Sequence, residues 1–234
     1  RAGLSIQSSR RLGVKLLSAG LKDPLGRLDT LRVEPAGVRW LTPGLRKYSC
    51  ELTVDTNTVN RNLNLSDNNR KVTCVEEDQP YPGHPERFES WSQLLCRDGL
   101  TGRCYWEVQT RGGVYISVSY RRIRRRGDSR DCGFGCNDQS WSLVCSDDDY
   151  YVWHNNRETS VSSSPVSDRV AVYVDCPAGS LSFYTVSSDS LIHLHTFNTS
   201  FTQTVYPGFG FWSPGSSVSL CPVEDRESPP VSHC

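Results

Sequence analysis

The sequence of 234 residues predicts an all-β protein, a bent antiparallel β-sandwich with a short αβ extension at its N-terminus. From Cys50 onward, short runs rich in Val, Ile, Tyr, Phe and Trp are separated by turns rich in Gly, Asn, Asp and Ser. Many short strands at such spacing are typical of a sandwich or barrel and not of βαβ units. Along Val114–Ser119, aliphatic residues alternate with Tyr or Ser, and this period of two indicates a strand with one buried face.

The strongest part of this pattern is the stretch from Cys104 to Tyr120, where two strand-forming runs flank Arg111-Gly112-Gly113. A glycine pair between strand formers predicts a β-hairpin, and the sheet face that carries Trp106 is expected to begin the core. The candidate strands are, in order, Val72–Val75, Cys104–Gln109, Val114–Ser119, Trp141–Cys145, Tyr150–His154, Val170–Asp175, Ser180–Val186, Leu191–Phe197, Val205–Phe211 and Val218–Cys221.

The first 47 residues differ from the rest. Helical spacing is found among the leucines Leu12, Leu16, Leu17 and Leu21. A short strand is predicted over Leu28–Val33, and residues 34–48 have the Pro and Gly content of a linker. The helix and strand together resemble one leucine-rich repeat, although a plain αβ extension remains an alternative. Because one repeat cannot bury its own apolar face, the resemblance implies a fragment cut from a longer array.

Composition narrows the class of partner. Lys plus Arg total 26, as do Asp plus Glu, so no net field points to nucleic acid or to a membrane surface. We therefore expect a protein or peptide ligand, no nucleic acid and no membrane, and the oligomeric state stays open. The ten cysteines are scattered, and several fall within predicted strands. This distribution favours buried, reduced thiols in a cytoplasmic protein over a secreted disulfide framework.

Four ordered motifs resemble the PRY-SPRY domain, which has a concanavalin-like jelly-roll sandwich. They are Leu52–Thr58, Tyr105–Val108, the segment from Val172 through Tyr184, and Tyr206–Phe209. The resemblance extends from about Tyr48 to Cys221. It implies a leucine-rich-repeat remnant and linker over 1–47, a PRY-SPRY domain over 48–222 (PRY about 48–98, SPRY about 99–222), and a flexible tail over 223–234.

The order of repeat and domain resembles the C-terminal region of fish NOD-like receptors. This resemblance implies a non-catalytic protein-recognition module of a cytoplasmic innate-immune receptor. Tripartite-motif ubiquitin ligases and stonefish-type toxins also carry the domain and remain alternatives. Residues of the motifs are expected to form the structural core, namely Trp106, Glu107, Val108, Asp175, Phe183, Tyr184 and Phe209. Asp175 is also expected to accept backbone hydrogen bonds in the turn that ends at Gly179.

Recognition is expected in loops at one end of the two sheets, because a rigid sandwich commonly presents its binding residues on loops. Four loop regions combine aromatic, Arg and amide side chains: Arg121–Gln139, Asp147–Tyr151, Trp153–Asn156 and Phe211–Gly215. The first of them is too polar to be part of the core. The predicted partner-binding residues are Arg124, Arg126, Asp128, Asp148, Tyr151, Trp153, Asn155 and Trp212. Alternatively, these are solvated loops with the two tryptophans tucked inward.

The sequence lacks the motifs of an enzyme. It has no phosphate-binding Gly-rich loop and no nucleophile elbow. Cys132 with Cys136, and His193 with His195, could each supply two metal ligands, but no further ligands follow at a suitable spacing. We therefore expect no enzymatic activity, no metal and no cofactor.

Overall fold

The computed structural model describes residues 31–34, 37–41, 43–161, 166–188 and 190–223. The predicted N-terminal helix and the predicted tail lie outside the described residues. Within these ranges, none of the helices is both long and apolar enough to cross a membrane.

The described chain is almost entirely β-structure. Its strands are β1 (Leu31–Glu34), β2 (Gly37–Leu41), β3 (Leu63–Ser66), β4 (Lys71–Cys74), β5 (Gln93–Leu95), β6 (Arg103–Arg111), β7 (Val114–Tyr120), β8 (Ser140–Cys145), β9 (Tyr150–His154), β10 (Arg157–Val161), β11 (Arg169–Asp175), β12 (Ser180–Ser187), β13 (Ser190–Asn198), β14 (Val205–Phe211) and β15 (Ser217–Cys221). One short helix, α1 (Pro43–Arg46), and a 3-10 turn, Arg130–Cys132, complete the elements.

The strands form two antiparallel sheets. The nine-stranded sheet has the order β1-β2-β13-β12-β11-β6-β15-β4-β3, and the six-stranded sheet has the order β10-β9-β8-β7-β14-β5. The main core lies between them and contains buried side chains of both, including Trp106, Ile116, Leu143, Phe183 and Phe209. The prediction of an all-β antiparallel sandwich is therefore confirmed.

The predicted hairpin at Gly112-Gly113 is wrong. Strand β6 pairs with β11 and β15, whereas β7 pairs with β8 and β14. The chain therefore crosses from one sheet to the other at the glycine pair, with Gly112 at φ +66°. A glycine in the left-handed region allows a sharp reversal, but the reversal alone does not decide whether the two strands pair.

The loop between β7 and β8 forms part of a second core, contrary to the expectation from its polarity. Ile123 and Phe134 pack with Phe88 and Leu95 on the outer face of the six-stranded sheet. Arg125 is 8% exposed, and its guanidinium lies 4.6 Å from the centroid of the Phe88 ring. The apolar residues are too few and too scattered in this loop to show a periodic pattern, so its sequence resembles a solvated loop.

The motif residues occupy both sides of the nine-stranded sheet. Trp106, Val108 and Phe183 face the main core, whereas Tyr184 packs in a smaller cluster on the outer side. Asp175 caps the turn after β11, because its Oδ1 accepts the backbone N–H of Ala178 at 3.0 Å.

Several elements escaped the sequence prediction because they are very short or polar. Strand β5 has three residues, and β10 is an exposed edge strand with the sequence Arg-Glu-Thr-Ser-Val. The predicted linker over 34–48 contains β2 and α1. Cys50 and Cys104 form a disulfide, which differs from the expectation of reduced thiols. Within the described ranges the other cysteines are free: Cys74, Cys96, Cys132, Cys136, Cys145, Cys176 and Cys221.

Candidate functional site

An open pocket with aromatic walls lies on the outer face of the six-stranded sheet. We call it the aromatic groove and define it by the aromatic residues of its lining: Trp91, Tyr115, Phe134, Phe211 and Trp212. The side chain of Phe211 itself packs in the main core. Its volume is about 270 Å³, and Ser90, Ser92, Gln93 and Gly210 complete its lining. None of these residues carries a charge at neutral pH.

The register of the sheet explains the floor of the groove. Gly210 of β14 lies opposite Tyr115 of β7 on one side and opposite Gln93 of β5 on the other. A Cβ on Gly210 would lie 3.3 Å from the Cβ of Tyr115. Because Gly210 has no side chain, the sheet has a shallow depression at this position. The phenol ring of Tyr115 lies beside it.

Trp212 forms the exposed wall of the groove. Its side chain follows the end of β14 and is 53% exposed. The indole lies against Gly113, where a Cβ would come within 2.5 Å of the Trp212 Cε3 atom. The same indole meets the Tyr115 ring edge-on, with centroids 5.9 Å apart. An exposed indole held in one orientation offers a large contact area at small entropic cost.

The opposite wall is built by the loop between β7 and β8. Trp91 Nε1 donates a hydrogen bond to the Ser129 carbonyl at 3.2 Å. Gln93 is 2% exposed. Its Oε1 accepts the backbone N–H of Phe134 at 3.2 Å, and its Nε2 donates to the carbonyl of Cys132. One buried amide thus fixes this wall to the edge strand β5.

The electrostatic character of the groove is neutral. Burial raises the pKa of Tyr115, so its hydroxyl remains protonated at physiological pH. The groove therefore offers aromatic surface with a few hydroxyl groups, which suits apolar or aromatic side chains of a partner.

Two of the predicted binding residues lie beside the groove on the same face. Tyr151 of β9 pairs with Val144, which in turn pairs with Tyr115. Trp153 is half-buried, and it lies close to the loop between β7 and β8. A Cβ added to Gly135 of that loop would come within 2.6 Å of the Trp153 Cβ. Neither Tyr151 nor Trp153 lines the groove itself.

The remaining predicted residues are divided between the two ends of the six-stranded sheet. Ser119 lies opposite Ser140, and Val114 lies opposite Cys145. The loop after β7 and the turn after β9 therefore share one end, and the turns after β8 and β14 share the other. The four predicted loop regions therefore do not all meet at one end, because neighbouring antiparallel strands place their successive connections at alternate ends.

Arg124, Arg126, Asp128 and Asn155 lie at the first end, and all four are exposed. Arg124 forms an ion pair with Asp131 at 3.7 Å. Asp148 lies at the opposite end in the exposed turn before β9. These five polar residues do not line the aromatic groove.

Sequence reasoning missed Trp91, Tyr115 and Phe134. The alternation in β7 did place Tyr115 on the face opposite to Val114, and the segment Ser90-Trp91-Ser92 sets a large aromatic among small polar residues. Phe134 stands between two glycines, a composition that favours a turn. Neither signal shows that the three side chains meet.

The part of the chain that the structure describes has no cluster of metal-ligating side chains. No three His, Cys, Asp or Glu side chains there are grouped so that they could hold a metal ion.

Comparison with known families agrees with the architecture. The SPRY-associated domain PRY matches residues 52–100, and the SPRY domain matches residues 103–223. The chain therefore belongs to the SPRY family of protein-interaction modules and carries the PRY segment in front of the SPRY domain.

Relatives with this domain include fish toxins and tripartite-motif proteins. Stonustoxin subunit alpha of Synanceia horrida is 41% identical over 176 residues, which cover 74% of this chain and 25% of the toxin subunit. Tripartite motif-containing protein 16 of Mus musculus is 34% identical over 187 residues, which cover 78% of this chain and 34% of that protein. The chain thus spans about a quarter to a third of these relatives.

Solved structures show the same arrangement. A stonustoxin structure has a TM-score of 0.74 and 38% identity, with 81% of this chain and 32% of that chain covered. The PSpry domain of TRIM65 has a TM-score of 0.69 and 28% identity, with 76% of this chain and 92% of that chain covered.

Proposed function

We propose that the chain binds a protein or peptide through the aromatic groove and catalyses no reaction. The observation that carries this proposal is the exposed indole of Trp212, seated on Gly113 and in edge-on contact with Tyr115 at the border of an uncharged depression. Large exposed aromatics on a rigid surface are the usual anchors of protein interfaces. The sheet supplies that rigidity, since the groove floor is formed by three hydrogen-bonded strands.

The test compares partner binding by the unaltered chain and by Trp212→Ala. A partner is first identified by affinity capture, and its dissociation constant is then measured for both proteins. We expect Trp212→Ala to weaken binding by about 30-fold or more, corresponding to a hot spot of ~2 kcal/mol. The cost in folding stability is expected to be about 1 kcal/mol, because the lost contacts are half exposed.

His193→Ala is the matched control. It removes a ring from an exposed position on β13 of the nine-stranded sheet, far from the groove in the sheet order. Equal affinities for the unaltered chain and a folded Trp212→Ala variant would refute the groove as the binding site. Equal losses in both variants would point to a general effect on folding.

We further propose that this module belongs to a cytoplasmic NOD-like receptor of innate immunity. The support is the leucine pattern before residue 34, which resembles one leucine-rich repeat. The test is the sequence of the transcript upstream of residue 1. A NACHT domain and further repeats there are expected, whereas a RING domain and coiled coil would assign the module to substrate recruitment by a ubiquitin ligase.

A toxin subunit is the second candidate, and two observations favour it. The chain is 41% identical to stonustoxin subunit alpha over the matched region, and Cys50 and Cys104 form a disulfide. Disulfides persist mainly in oxidising compartments. Mass spectrometry of the natural protein after thiol alkylation decides between the two. An alkylated Cys50 supports the cytoplasmic receptor, and an intact Cys50–Cys104 bond supports the secreted toxin.

A further inference from the structure

Beside the aromatic groove lies a second opening, which we call the arginine cleft. It has a volume of about 510 Å³ and is lined by Arg61, Arg87 and Arg126 together with His84 and Glu89. The segment that carries three of these residues continues directly into Ser90 and Trp91 of the groove. The two openings are therefore neighbours on one surface.

Arg87 is a buried cation that forms no ion pair with a carboxylate in the part of the chain that the structure describes. Its side chain is hydrogen-bonded only to carbonyl oxygens: Nε and Nη2 donate to Pro82 at 3.1 and 2.9 Å, and Nη1 donates to Thr56 at 3.0 Å and to Val59 at 2.6 Å. The residue is 8% exposed. Carbonyl dipoles satisfy four of its five N–H groups, but they do not cancel its charge.

The other two arginines of the cleft also lack a counter-ion. Arg61 Nη1 donates to the Gln79 carbonyl at 3.4 Å, and Arg126 is exposed. Neither forms an ion pair with a carboxylate among the described residues. Burial, and then the like charge of Arg61, lower the pKa of Arg87, against the opposing effects of Tyr81 and Asp55.

The acidic residues nearby are already engaged. Glu86 pairs with Arg125 at 3.1 Å and with Arg121 at 3.3 Å. Glu89, the carboxylate that lines the cleft, accepts the backbone N–H of Gly127 at 2.8 Å. The cleft as a whole therefore carries an excess of positive charge, although the sequence has equal numbers of acidic and basic residues.

His84 adds a hydrogen-bond donor to the cleft. Its Nδ1 accepts the backbone N–H of Glu86 at 3.1 Å. A ring nitrogen that accepts a hydrogen bond carries no proton, so the N–H of the ring is at Nε2. This donor has no partner among the described residues.

We propose that the arginine cleft is an anion site that takes a phosphate monoester carried on a side chain of the protein partner. This inference extends the proposed recognition function, because a partner anchored in the groove would pass over the cleft. Arg forks match tetrahedral oxyanions in geometry. A phosphate monoester brings a charge of about −1.5 to −2 at neutral pH, which suits the excess positive charge of the cleft better than one carboxylate does. Arg87, whose N–H groups are mostly bonded to carbonyls, contributes its charge, and Arg61 and Arg126 contribute the N–H groups that remain free. Clusters of Arg are a general means of recognising phosphorylated segments.

The first experiment uses inorganic phosphate and needs no identified partner. The ¹⁵N-labelled chain is titrated with phosphate at constant ionic strength, with chloride as the replaced anion. We expect saturable shifts of the Gly83, His84 and Glu89 amides and of the Arg87 Nε–H signal. Shifts that rise linearly without saturation, or that are spread over the whole surface, would overturn the inference.

Variants then separate a defined site from general attraction. Arg61→Gln and Arg126→Gln should each weaken phosphate binding by about five- to tenfold. Arg122→Gln is the matched control, since Arg122 is an exposed arginine of the same loop that does not line the cleft. Equal weakening by all three substitutions would contradict a defined site. Melting temperatures show that each variant is folded.

A last comparison decides the source of the phosphate. The chain is titrated with the peptide Ala-Ala-phosphoSer-Ala-Ala, with the same peptide lacking the phosphate, and with vesicles containing phosphatidylserine. Binding of the phosphopeptide alone supports the inference, whereas binding of the vesicles through Arg61 and Arg126 overturns it in favour of a lipid headgroup. Trp212→Ala should leave phosphate binding unchanged, so failure of the groove and failure of the cleft are distinguishable.

Discussion

Glu107 is a strand residue whose buried carboxylate links helix α1 to the nine-stranded sheet. The alternation of β6 directs Trp106 and Val108 into the main core and Glu107 to the outer side. There the carboxylate is 1% exposed. Its Oε1 accepts the Tyr105 hydroxyl at 2.7 Å and pairs with Arg46 at 3.2 Å, and its Oε2 pairs with Arg169 at 2.6 Å. Helix α1 is thereby tied to the sheet.

The substitution Glu107→Gln tests this role. It keeps the shape of the side chain but leaves Arg46 and Arg169 without a counter-charge. We expect a loss of about 2–3 kcal/mol in the free energy of unfolding, below the usual cost of a broken buried pair because both arginines are partly exposed. Urea denaturation measures the loss. Glu158→Gln, at an exposed position of β10, is the control and should change stability by less than about 0.5 kcal/mol. A similar small change for Glu107→Gln would contradict the assignment.

The loop between β7 and β8 is the element on which the groove depends most. Phe134 packs over Gly208 of β14, and its ring meets the Phe88 ring edge-on with centroids 5.9 Å apart. Asn137 Nδ2 donates to the carbonyl of Gly133 at 2.7 Å and so closes the turn around Phe134. The loop is thus held to the sheet by packing and by hydrogen bonds of its own.

Gly208→Ala should lift this loop from the sheet. A Cβ there would lie 2.6 Å from Phe134 Cζ and 3.0 Å from the Leu94 carbonyl oxygen. Since the backbone oxygen cannot move away easily, we expect a loss of about 1–3 kcal/mol in stability and a weaker partner affinity. Gly102→Ala, where a Cβ would meet nothing within 4 Å, is the control. Unchanged stability and affinity for Gly208→Ala would show that the loop adapts without effect on the groove.

Sequence patterns predicted the strands well and their partners poorly. Alternation identified β7, and runs rich in strand-forming residues identified β8 and β11, each nearly to the residue. The Gly112-Gly113 crossover was missed because turn composition is local, whereas pairing is decided by which strands meet in the folded molecule. The groove was missed for the same reason, since Trp91, Tyr115 and Trp212 are distant in sequence.

At the scale of the whole molecule, many ionisable side chains are buried in their neutral forms. Burial raises the pKa of Cys74, Cys145 and Tyr150, among others. In the unfolded chain, thiols ionise near pH ~8.5 and phenols near pH ~10. The folded state therefore keeps its protons to higher pH than the unfolded state does.

This difference predicts a loss of stability at alkaline pH. The contribution of these groups is fully present below about pH 8.5, and it is lost as the pH rises toward the raised pKa values of the folded state. We expect the urea midpoint to fall steadily between about pH 8.5 and 10.5. Cys145→Ala should make the free energy of unfolding fall less steeply with pH. The change in slope should correspond to up to about one fewer proton released on unfolding per molecule. A midpoint independent of pH over this range would contradict the burial of these groups.

The two outer surfaces of the sandwich offer partners different chemistry. The nine-stranded sheet has its outer side partly covered by α1 and the residues that follow, with Leu45 and Tyr48 packed against it. The six-stranded sheet presents the aromatic groove, and the arginine cleft is formed by the segment before β5 together with Arg61 and Arg126. We therefore expect partners to bind at the outer face of the six-stranded sheet.

Hydrogen–deuterium exchange of the chain with and without its captured partner shows which outer face binds the partner. Protection on binding should concentrate in residues 90–93, 113–115, 133–136 and 210–213. The backbone of the nine-stranded sheet, including residues 43–49, should exchange at the same rate in both samples. Protection confined to residues 43–49 or to β12 and β13, with unchanged exchange around Trp91 and Trp212, would contradict the account.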